Sequence, residues 1–202
     1  MNSITEGLLG QLQGQPLTQM SQHLGLSQSL TAGAVAAALP LLIGALGRNS
    51  RQPQGAQSLF GALQRDHAGQ DVGSALGSAL SGGGQGGQIL GHIFGPRQQI
   101  AAQGLGAATG IAPDNASKLL RVLAPVAMAY IAKRMYDKRN ANAAAGVPAV
   151  EPTAQVLGQE LGQEERRITE QGGVGGGLLG AVLDRNHDGK IDISDLLGVG
   201  GR

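Results

Sequence analysis

Pro40 and Pro125 lie 85 residues apart, and at that same offset the start of the chain maps onto its middle without a gap. Ile4, Leu8, Leu9 and Gly10 fall on Ile89, Ile93, Phe94 and Gly95. Gly25-Leu26 falls on Gly110-Ile111, Ser29 on Asp114 and Arg48 on Lys133. Whatever one copy folds into, the other must be able to fold into as well. Each copy reads as a short apolar helix, a second short helix ending at glycine, and a long apolar helix with an internal proline. Val35, Leu39, Leu42 and Leu46 recur at helical spacing, and Leu119, Leu123, Val126 and Tyr130 repeat it. The prolines each remove a backbone hydrogen bond, which predicts a matched kink. Ser29 and Asp114 are the expected helix N-caps.

Between the copies, Ser58–Arg65 and Asp71–Leu80 read as two more short helices. Val72, Ala75, Leu76, Ala79 and Leu80 give the second an apolar stripe, and Gly73 and Gly77 a flat facet suited to close helix contact. Gly82–Gly87 reads as a flexible joint. After Arg139 the composition turns to Ala, Asn and Pro, marking 140–153 as a linker. Residues 154–171 form a helix with Leu157, Leu161, Glu164 and Ile168 on one face. Its Glu164, Glu165, Arg166, Arg167 and Glu170 predict that it is mostly solvated. Residues 172–202 hold a glycine-rich joint and a C-terminal loop. The fold class expected is all-α: a multihelical domain at 1–139 that folds independently of the tail and of metal, then linker, helix and loop.

The material for a core is limited. Charged residues make up 14% of the chain against a typical ~25%, and 35 of its 202 residues are glycine. Phe60, Phe94, Tyr130 and Tyr136 are the only aromatics. A core of Leu, Ala, Ile and Val is thin per residue, so self-association is expected to supplement burial. Residues 1–47 carry one charged side chain, Glu6, which points to the first long helix as the contact surface. Leu24–Gly47 is uncharged, but its polar residues, four glycines and Pro40 leave it short of the ~20 apolar residues of a span. It reads as a buried core helix, with no membrane span. Cysteine is absent, and the N-terminus lacks a basic stretch followed by an apolar core, so no secretory signal is recognised. Both fit a cytoplasmic protein.

Residues 184–195 carry the specific chemistry. An EF-hand loop places oxygen ligands at positions 1, 3 and 5, glycine at 6, a backbone carbonyl at 7, a ligand at 9 and a carboxylate at 12. Asp184, Asn186 and Asp188 fill 1, 3 and 5, Gly189 takes the turn, Lys190 offers its carbonyl, and Asp192 and Asp195 fill 9 and 12. Ile191, at position 8, is the apolar anchor. Calcium is the expected ion, with magnesium as competitor. Asp at position 12 is one methylene shorter than the usual Glu, which lowers the expected affinity. The short flanking helices make the segment resemble a dockerin-like loop more than a full helix-loop-helix.

The Leu24-Gly25-Leu26-Ser27 turn into an alanine-rich helix, the Leu39-Pro40-Leu41-Leu42 kink and the glycine-rich middle resemble the YidB-like bacterial family over about residues 1–140. That resemblance implies a multihelical fold and a bacterial source. The family is a domain of unknown function, so no activity and no catalytic residues come with it.

Two function classes follow. The first is a non-enzymatic calcium-binding structural or interaction protein that self-associates through apolar helices and takes protein partners. The alternative is a nucleic-acid-associated helical protein using the cations at 118–139: Lys118, Arg121, Lys133, Arg134, Lys138 and Arg139. Net charge is only +1, and no Lys or Arg precedes Arg48, which argues against a phosphate-binding helix in the first copy. His23, His67, His92 and His187 are scattered, and no nucleophile elbow or phosphate loop occurs, which argues against an enzyme.

Overall fold

The structure, a computed structural model, describes residues 3–66, 69–83, 85–144, 152–172, 176–178 and 180. Among the described residues all regular structure is helical. In chain order the helices are α1 (Ile4–Gln11), α2 (Gln15–Leu24), α3 (Gln28–Ser50), α4 (Pro53–Asp66), α5 (Val72–Leu80), α6 (Gly86–Phe94), α7 (Gln98–Thr109), α8 (Pro113–Ala144) and α9 (Ala154–Gln171). A 3₁₀ turn, Gly95–Arg97, joins α6 to α7.

The repeat is present as topology: α1–α2–α3 and α6–α7–α8 each run short, short, long. Gly25 and Gly110 end α2 and α7 with left-handed φ values of 66° and 74°, a conformation that glycine adopts without steric cost. The N-caps differ from expectation. Ser27, not Ser29, caps α3, its side chain accepting from the Leu30 N–H. Asp114 sits inside the first turn of α8, one residue after Pro113, where its carboxylate still favours the positive end of the helix.

Both prolines lie inside continuous helices. Pro125 has no N–H to offer the carbonyl of Arg121, four residues back. The start of α6 packs at that point. Gly86 lies so close to the Arg121 carbonyl that a Cβ there would overlap it. Gly86, expected within a flexible joint, is therefore a buried contact between helices. Gly73 and Gly77 behave in the opposite way. Expected to form a contact facet, they are exposed, because α5 turns Val72, Ala75 and Leu76 toward α8 instead.

The centre of the fold is α3. Val35, Leu39, Leu42 and Leu46 are buried, and α1, α2, α4, α6, α7, α8 and α9 all pack on this helix. It is the one described helix long and apolar enough to cross a membrane, and most of it is buried inside the fold. The uncharged surface expected to be covered by a second subunit is thus covered by the chain itself. Among the described large apolar side chains, Leu30 at 43% and Ile100 at 50% are the exposed ones.

The largest departure from the sequence reading is α9. Expected to be mostly solvated, it packs along α3 and against α4. Leu157, Leu161 and Ile168 join the core, and Glu164 and Glu165 are buried at 4% and 3% exposure. The charges misled because both carboxylates find partners inside the fold. Two glycines permit the approach. A Cβ on Gly47 would lie 2.5 Å from the Leu161 carbonyl oxygen, and one on Gly158 would lie 3.0 Å from that of Ser50. Helix α4 starts at Pro53, earlier than the expected Ser58, and α8 continues to Ala144, into the segment expected to be linker.

Candidate functional site

The expected metal ligands Asp184, Asn186, Asp188, Lys190, Asp192 and Asp195 lie outside the described residues. What is described is the approach to them. Gly176–Leu178 is helical. A Cβ on Gly176 would come within 2.7 Å of the Ile168 carbonyl oxygen, so this turn lies against the end of α9. Leu178 packs on the edge of the core. The chain thus leaves a packed anchor six residues ahead of Asp184. Among the described residues, no group of three or more His, Asp or Glu side chains is placed to hold a metal ion.

Three carboxylates fasten α9. Glu164 Oε1 accepts from the Thr5 N–H at 3.0 Å and the Thr5 hydroxyl at 2.8 Å, while Arg167 donates to Oε2 at 3.2 Å. Glu165 Oε2 lies 2.8 Å from Arg51 Nε, at the C-cap of α3. Burial pushes the Glu165 carboxyl above its ordinary pKa, and this outweighs the pull of Arg51, Arg48 and Arg166. Glu160 lies 2.5 Å from Lys138 of α8. The exposed pair contributes little to stability. The buried acceptor on Glu164 contributes more, because removing its donors would leave a desolvated carboxylate. These carboxylates tie α9 to α1, α3 and α8. The sequence placed Glu164 on the apolar face of α9, a signal of burial that the neighbouring charges obscured.

A cleft of about 780 Å³ opens between α4 and α6. Asn49, Gln52, Gln54, Gln57, Gln85 and Gln88 supply amide walls over a floor of Leu46, Ile89, Ile93 and Met128, with Arg65, Asp66 and His92 also lining it. Asn49 Nδ2 donates to the His92 carbonyl at 3.2 Å, tying α3 to α6. Amides offer both donors and acceptors without charge. Sequence reasoning missed this cleft because its residues come from three separate segments. The one available signal was the density of glutamine near 52–57 and 85–88. Of the scattered histidines, His92 reaches the cleft, His23 stands exposed in the last turn of α2, and His67 and His187 lie outside the described residues.

The basic cluster is partly engaged. Lys133 pairs with Asp137 at 2.6 Å and Lys138 with Glu160. Lys118 and Arg121 are exposed nearer the start of α8. Phosphate binding gains from each cation that releases counterions, and a cation already held by a carboxylate gains less.

No curated protein and no solved structure matches the chain. Residues 6–134 match the family described as "Bacterial protein of unknown function (DUF937)". The matched segment runs from α1 into α8, takes in both copies of the repeat and leaves α9 and the loop outside. Spanning well over half of the 202 residues, that match makes this chain a member of the DUF937 family of bacterial proteins.

Proposed function

We propose that the chain is a non-enzymatic, calcium-binding interaction protein: a YidB-like helical domain that carries an EF-hand-like loop at its C-terminal end and self-associates. The observation that carries this reading is the ligand spacing at 184–195. Asp184, Asn186, Asp188, Asp192 and Asp195 supply four carboxylates and an amide, and Lys190 adds a carbonyl. These are the hard oxygen donors that calcium prefers. The packed anchor at Leu178 supports it, because a loop tethered to a folded body loses less entropy on closing around an ion. The protein acts in the cytoplasm in this reading, with protein partners rather than nucleic acid.

Calorimetric titration of metal-free protein tests it. The expected dissociation constant is on the order of 10⁻⁵ to 10⁻³ M for calcium, the range of weaker sensors and extracellular modules. Asp184→Ala or Asp188→Ala should abolish the heat, and Asp195→Glu should tighten binding. Absence of heat for the unmodified chain at millimolar calcium would refute the metal reading.

A further inference from the structure

We propose that the cleft between α4 and α6 binds an extended, uncharged segment of peptide about five residues long. This deepens the interaction-protein reading above by naming a surface and the chemistry of its partner, and it does not depend on calcium. The lining residues all lie within the segment that matches the family. The cleft sits where the two copies of the repeat diverge. At the 85-residue offset, the turn from α3 into α4 at 50–53 falls on 135–138, which α8 crosses as unbroken helix. The repeat therefore does not require the cleft. Its walls are fixed by contacts around them. A Cβ on Gly55 would lie 2.0 Å from the Asn49 carbonyl oxygen, so α4 starts directly against the end of α3. The side chain of the same asparagine donates to the His92 carbonyl and holds α6. Gly86, against the Arg121 carbonyl, seats α6 on α8. A cleft held in this way is formed before its ligand arrives, which lowers the ordering cost of binding.

The chemistry of the walls selects the ligand. Gln54, Gln57 and Ser58 line the cleft from one face of α4, and Gln85, Gln88 and His92 line it at helical spacing along α6 and its N-cap. All six are exposed. A carboxamide carries a donor and an acceptor on one group. It can meet both the N–H and the C=O of a peptide unit, each of which needs a partner when it leaves water. A wall of Lys, Arg, Asp or Glu would serve only one of the two. The floor is apolar: Leu46 and Met128 are buried, Ile89 and Ile93 half-buried. Side chains of an extended segment alternate in direction, so every second one faces such a floor. The 9 residues of α6 run about 13 Å and the 14 of α4 about 21 Å. Five extended residues span about 17 Å, and a cleft of about 780 Å³ is of ordinary size for a bound ligand. Other ligand classes fit less well. Arg65 and Asp66 are the acid and base among the lining residues and offset each other, which removes the pull on a phosphate or a charged peptide. The described lining residues include no aromatic ring, so bases and sugar rings have no face to stack on.

NMR of the full-length chain in the absence of calcium, following backbone and side-chain amide signals, tests the site. The probe is a pool of pentapeptides, acetylated and amidated at their ends, with Leu, Ile, Val or Met at the second and fourth positions and Ala or Ser elsewhere. Maltopentaose serves as the neutral sugar for comparison. The pool is expected to shift the signals of Gln54, Gln57, Gln85 and Gln88 together, with a dissociation constant on the order of 10⁻⁴ to 10⁻³ M. Gln57→Glu combined with Gln88→Glu keeps side-chain size at two exposed positions, removes a donor from each wall and adds a charge to it. That variant is expected to keep its helix content and melting and to bind the pool about tenfold more weakly. Gln103→Glu, exposed on α7 and outside the cleft lining, is expected to bind as the parent does. Absence of shifts at the cleft overturns the proposal, as does a response that the double variant retains in full. A larger response to maltopentaose than to the pool overturns it too and assigns the cleft to a sugar. Each of these results leaves the calcium reading standing, because that reading is tested by the heat of metal binding alone.

Discussion

Gly86 and Pro125 act as a pair, although they lie on different helices and neither is informative alone. The proline removes the donor that the Arg121 carbonyl would otherwise meet, and the glycine lets α6 start directly against that carbonyl. Gly86→Ala is expected to cost about 1–3 kcal/mol through overpacking, since the overlapping atom is backbone and has little freedom to move. Denaturant unfolding measures this, and an unchanged midpoint would contradict the contact. Glu165 is a residue-scale case of electrostatics set by burial. Its folded pKa lies above the ordinary value of about 4.5, so the folded state favours the neutral acid. Its contribution is therefore fully present below the ordinary value and is lost as pH rises through the raised one. Glu165→Gln should flatten this part of the pH–stability profile and leave the protein at least as stable at pH 8 as the parent. A large loss at pH 8 would show instead that the Arg51 ion pair dominates.

At the scale of elements, the long helices and their glycine stops were legible because periodicity and Gly25/Gly110 state them locally. What was not legible was which helix covers which. Residues 154–171 carry a charged sequence, and nothing local reveals that Thr5 and Arg51 wait for Glu164 and Glu165. Likewise Gly73, Gly77 and Gly86 look alike in sequence, and only the crossing of α6 with α8 separates the contact glycine from the exposed ones. The docking of α9 changes what truncation should do. Burying Leu157, Leu161 and Ile168 is worth about 1.5–3 kcal/mol each, a sum comparable to the ~5–15 kcal/mol that holds a typical protein together. A chain ending at Arg139, which the sequence reading expected to fold alone, is now expected to melt far lower and to aggregate through the uncovered face of α3. Leu161→Ala, a milder version, should cost about 2–5 kcal/mol. A truncated chain that melts as the full one does would show that α9 adds nothing.

The described residues form a helical body organised around one buried apolar helix, and the segment proposed to bind calcium follows them in the sequence. The ligands proposed for the loop, Asp184, Asn186, Asp188, Asp192 and Asp195, rest on their spacing in the sequence and lie outside the described residues. The amide-lined cleft between α4 and α6 was not, because its chemistry exists only once distant segments meet. In the proposed function, a body that folds without metal carries a segment that responds to it. Hydrogen exchange of the full chain, with and without millimolar calcium, tests that division most directly. Protection is expected to rise across residues 178–199 and to stay unchanged in α3 and α8. No change anywhere, or a change spread through α3 and α8, would contradict it.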